Sequence, residues 1–106
     1  PPPVTWAGWA AWSRLVKTEF GERLIRVKGL IEMEDSIAFV QDVQGVFHPP
    51  QRFREWPGTD HANRLVCIAR DLEEKDIAAT LPALNTAAGT QATYSMQELR
   101  ERQALQ

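Results

Sequence analysis

The residues able to do chemistry are few. Cys67 is the only cysteine, and His48 and His61 are the only histidines. Cys67 lies inside the apolar run RLVCIA at 64–69, where burial keeps a thiol protonated and inert. A single cysteine also excludes an internal disulfide and a cysteine-based zinc knuckle. Two neutral imidazoles with Asp60 would suit zinc or cobalt, but their spacing across a Pro-rich loop matches no standard ligand pattern. His48 reads as the end of a strand and His61 as a solvated loop residue, so no metal site is assigned; a small metal-binding module on His48 and His61 is the alternative. Glu32, Glu34 and Asp35 cluster at a turn, and Glu73, Glu74 and Asp76 at a helix start. General acid–base work would need one of them desolvated, and both places favour solvated charge. Neither GxxxxGK[ST] nor GxGxxG is present, and a nucleophile elbow and HExxH are also missing. The chain is therefore expected to catalyse nothing by itself.

The elements that hold these residues follow from pattern. Thr5 can cap a helix running to about Phe20, with Gly21 placed for a left-handed C-terminal cap. Trp9, Trp12, Val16 and Phe20 recur at helical spacing and make one apolar stripe, either core or a docking surface with Trp6. Gly8 inside that helix costs roughly 1 kcal/mol relative to Ala. Residues 23–32 (RLIRVKGLIE) read as a strand with Ile25, Val27 and Ile31 on one face and Arg26 and Lys28 on the other; Gly29 marks a bulge or a close backbone approach. A turn at 34–36 leads into a second strand over 37–47, and the pair forms the central hairpin. Pro49 and Pro50 end that strand, and 51–63 is expected to be mostly loop. Residues 64–69 read as a buried central strand. Asp71 or Glu73 opens a second helix, with Asp71 and Glu74 at capping-box spacing, and Ile77, Leu81 and Leu84 form its apolar face; Pro82 ends or kinks it near Leu81. Residues 85–93 resemble a linker, and Ser95 and Glu98 form a capping box for a short final helix.

The 106 residues form one small domain, and 43% hydrophobic with 25% charged residues excludes a disordered chain. The net charge of -2 opposes nucleic acid as a partner, because phosphate binding needs clustered cations. Arg26 and Lys28, with Arg64 or Arg70 beside them, would line a basic sheet face that lacks paired stacking aromatics. No run approaches the roughly 20 apolar residues of a membrane span. A lone cysteine fits a reducing, cytoplasmic setting. The chain opens on three prolines without an initiator Met, which reads as a piece of a longer protein.

Three segments taken together are similar to the C-terminal domain of the CobW family of metal-chaperone GTPases, which includes activators of nitrile hydratase. They are GERLIRVKG at 21–29, VQGVFHPPQRFREWP at 43–57 and RLVCIARDL at 64–72. The resemblance covers about Val4 to Leu84, so residues 1–84 form the domain and 85–106 a linker and short helix. It implies an α+β fold, with a mostly antiparallel sheet of three to four strands and helices packed on one face. It also implies an N-terminal P-loop GTPase domain elsewhere in the parent protein, which would hold GTP, Mg and a transition metal; this chain would hold no cofactor. The partners implied are that GTPase domain and a metalloprotein client. The candidate interaction surface is Arg26, Lys28, His48, Pro49, Pro50, Arg52 and Trp56. Relatives usually carry a strand before the first helix, of which only Pro1 to Val4 remain, so an exposed sheet edge would invite pairing with a second copy. Gly45 stands where relatives often carry a second His.

Overall fold

The structure, a computed structural model, describes residues 3–86. The final helix expected after Ser95, and its linker, lie outside the described residues. Helix α1 spans Trp6–Phe20, and the Thr5 hydroxyl accepts from the Gly8 N–H at 2.9 Å, as its capping role requires. Gly21 ends the helix at φ 52. Trp9, Trp12, Leu15, Val16 and Phe20 are buried, so the tryptophan stripe is core. Trp9 packs on Trp12 with ring centroids 5.2 Å apart, and meets the Phe47 ring edge-on at 5.5 Å.

Strand β1 (Leu24–Glu32) is central, with β2 (Ile37–Val43) antiparallel on one side and β5 (Arg64–Ala69) antiparallel on the other. Strands β3 (Val46–Phe47) and β4 (Gln51–Phe53) both pair with β2. The mostly antiparallel α+β class is as expected, but the sheet has five strands among the described residues. The reading of 37–47 as one strand misses a break: Gln44 and Gly45 both adopt positive φ, 50° and 83°, and reverse the chain between β2 and β3. The reading of 51–63 as mostly loop misses β4, because three alternating residues give too short a pattern to see. Ile25 does not share the buried face of Val27 and Ile31; the register shifts between Leu24 and Arg26 and turns it outward. Of the two expectations for Gly29, a bulge or a close backbone approach, the structure shows the approach: a Cβ there would overlap the Arg64 carbonyl oxygen.

The expectation that 64–69 is a buried central strand is wrong. β5 lies at the end of the strand order and alternates between half-buried and exposed residues. Val4 continues the β5 position along β1 as a single parallel bridge to Met33, donating to the Glu32 carbonyl at 2.9 Å. Helix α2 is brief, Glu74–Ala78, and its capping box pairs Glu73 with Asp76 where Asp71 and Glu74 were expected. Asp71 cannot open the helix because it turns the chain at φ 56. Pro82 starts a 3-10 turn over Leu81–Asn85, so the helical run stops as expected. That turn packs on α1 where Gly8 stands, since a Cβ on Gly8 would overlap the Leu84 carbonyl oxygen. Helices α1 and α2 therefore cover one face of the sheet.

Candidate functional site

Cross-strand register arranges the other face in rows. Val43, Arg26 and Ile68 form one row, Gln41, Lys28 and Val66 the next, and Phe39, Leu30 and Arg64 the third. Residues directly opposite in antiparallel pairs project to the same side, so each row reads straight across three strands. The apolar members of the first two rows remain uncovered: Val43 is 41% exposed, Val66 and Ile68 50%, and Val46, opposite Val43, 62%; Leu30 and Phe39 in the third are half-buried. Arg26 and Lys28 are exposed and make no ion pair among the described residues. The face thus combines β-branched surface with unpaired cations.

The remaining expected surface residues fall elsewhere. Arg52 pairs across from Ala38 and turns to the helix side, where its guanidinium lies 4.5 Å over the Trp6 ring and 3.3 Å from Asp35. The Trp6 indole N–H also donates to Asp35, at 3.0 Å. Arg52, Trp6 and Asp35 therefore tie β4, α1 and the hairpin turn together, separate from Arg26 and Lys28. The Ser36 hydroxyl, the Trp6 indole and the Arg52 charge hold the Asp35 carboxyl below its ordinary value. The sequence presents Asp35 as solvated turn charge beside Ser36, and no local pattern signals Trp6 or Arg52 as partners.

His48 is exposed just beyond β3, its backbone N–H donating to the Gln41 carbonyl at 3.0 Å. Pro49 is exposed and Pro50 half-buried. Trp56 is half-buried and stacks on His61 with centroids 5.6 Å apart and planes 8° from parallel. Asp60 is engaged by the Ala62 N–H and by Arg64, which together lower its pKa. No group of three or more His, Cys, Asp or Glu among the described residues is arranged to hold a metal, so His48, His61 and Asp60 do not form one. Cys67 is half-buried, and burial pushes its thiol up. No catalytic role is evident among the described residues. No helix among them is long and apolar enough to cross a membrane.

The model of the cobalamin synthesis protein cobW C-terminal domain matches residues 1–85. A crystal structure of the Zn(II)-bound YjiA GTPase from E. coli shares the fold, with a TM-score of 0.64 and 23% identity over 80% of this chain. This chain spans 27% of the length of that protein. No curated protein sequence matches it significantly.

Proposed function

Because this chain belongs to the family of cobW C-terminal domains, we propose that it is the accessory, protein-contacting domain of a cytoplasmic GTP-dependent metal chaperone. GTP, Mg and the transported metal would be held by a P-loop domain outside this chain. The observation that carries this reading is the uncovered sheet face, where Val43, Val66 and Ile68 stand beside Arg26 and Lys28. A face of this kind suits a partner surface with an apolar centre and acidic rim, and the GTPase domain is the partner favoured. When that domain changes nucleotide state, this one would move with it to present or release a metalloprotein client. Trp56 and the His48-Pro49-Pro50 segment lie outside the sheet face and would serve the client.

Binding of this chain to its own GTPase domain, measured with GTP analogue and with GDP, tests the reading. Affinity should differ between the two states and fall when Arg26 and Lys28 are both changed to Glu. Absence of binding in either state overturns it.

A further inference from the structure

The two edges of the sheet are built differently. One edge is made by β3 and β4, of two and three residues, with Pro49 and Pro50 between them. Strands this short, interrupted by residues without an N–H, offer another chain little to pair with. β5 forms the other edge, and no strand among the described residues lies beyond it. It runs for six residues, and its stretch 65–69 (LVCIA) contains neither a proline nor a charge.

Hydrogen bonding fixes which groups that edge presents. The Glu32 carbonyl turns to the β5 side of β1, where it accepts from the Val4 N–H. Backbone groups alternate along a strand, so Leu30, Lys28 and Arg26 turn the same way, toward their partners Arg64, Val66 and Ile68. The N–H and carbonyl groups of Leu65, Cys67 and Ala69 therefore point outward from the sheet. Their side chains are half-buried on the helix side, along an open apolar groove of about 620 Å³ whose far wall includes Leu72 and Leu84. Val66 and Ile68 project from the open face.

We propose that this edge pairs with the same edge of a second copy, β5 antiparallel to β5 about a two-fold axis at Cys67. That register sets Cys67 opposite Cys67, Leu65 opposite Ala69 and Val66 opposite Ile68. Each residue of 65–69 then has an apolar partner on its own side of the sheet, and the large Leu65 meets the small Ala69. Leu65, Cys67 and Ala69 form the hydrogen-bonded pairs, which uses the outward backbone groups of both copies. An axis at Val66 would set Arg64 opposite Ile68, and an axis at Ile68 would set Arg70 opposite Val66, so Cys67 is favoured. Arg64 meets Arg70 of the second copy only beyond the five pairs, and Asp60 already holds Arg64. A strand complementary to itself is what a two-fold contact requires, and this favours a second copy over an unrelated chain. The pairing leaves Arg26 and Lys28 uncovered and stands apart from the contact proposed for the open face.

Sedimentation equilibrium of the full chain over a dilution series should give a mass that falls from twice 12.0 kDa to 12.0 kDa. A short bis-maleimide should link the dimer through Cys67, the only thiol of each chain. Cys67→Asp and Cys67→Lys each set like charges opposite across the axis, and each should weaken the dimer about tenfold or more. Mixed together, the two variants should recover it as a one-to-one heterodimer. Circular dichroism checks that they fold. Val66→Asp/Ile68→Asp changes residues exposed in the monomer, and should weaken the dimer by a similar factor whatever the fate of the Cys67 variants. A chain that is monomeric at every concentration overturns the proposal. A dimer that survives Val66→Asp/Ile68→Asp at full strength overturns it too. Failure of the bis-maleimide to link the dimer, or of the two folded Cys67 variants to recover it on mixing, overturns the axis at Cys67.

Discussion

Asp35 and Gly8 show how a single residue is placed by neighbours far away in sequence. Asp35 accepts from the adjacent Ser36 and, from far away in sequence, Trp6 and Arg52, and these partners lower its pKa from 3.8. A carboxyl with a depressed folded-state pKa stabilises the fold above its unfolded pKa and loses that contribution as pH falls through the depressed value. Asp35→Asn should therefore lower Tm at pH 7, and the difference should shrink as pH falls below the ordinary carboxylate range, read by thermal melts over a descending pH series. Gly8→Ala is expected to gain about 1 kcal/mol of helix propensity. The new methyl would overlap the Leu84 carbonyl, and overpacking of this kind costs about 1–3 kcal/mol. The net should be a lower Tm, and a higher one would contradict the packing of the 3-10 turn on α1.

Elements are held together by a few polar ties through an apolar layer. The Trp12 indole N–H donates to the Thr80 hydroxyl at 2.8 Å, wholly buried, and this joins α1 to the turn after α2. Thr80→Val keeps the volume but strands the indole donor, which should cost about 1–3 kcal/mol in denaturant unfolding. Loss much below that range would mean that water reaches the indole. Much of this layer was legible beforehand. The Thr5 cap and the Trp9, Trp12, Val16 and Phe20 stripe are local signals of period 3.6 over fifteen residues, which nothing in the tertiary structure overrides. β4 was not legible, since three residues carry too little pattern and its pairing with β2 is a long-range event.

For the whole molecule the decisive asymmetry is that both helices lie on one face of the sheet. An Ile68→Asp substitution on the open face should change Tm by only a few degrees, because surface substitutions usually stay within about 0.5 kcal/mol. The same change should weaken binding to the GTPase domain at least tenfold, since it desolvates a carboxylate at the centre of the contact. If binding persists at full strength, the partner lies elsewhere. Arg26 and Lys28 were found from strand alternation alone, and the structure leaves them on that open face. Arg52 stands with them in the candidate interaction surface, but β4 turns it to the helix side.

The hairpin, the capped tryptophan helix and the family are readable from the residues alone, because each rests on local spacing or on an ordered set of motifs, whereas Gly29 leaves a bulge and a close approach open until the Arg64 carbonyl is seen against it. That 64–69 is an edge strand emerges only once the chain is folded. RLVCIA is apolar at both parities except for Arg64, and that pattern is the same whether a strand is covered on two faces or exposed on one. Which faces of a strand are covered depends on where its connections cross, and here both helices cross on one side, leaving Val66 and Ile68 in the open.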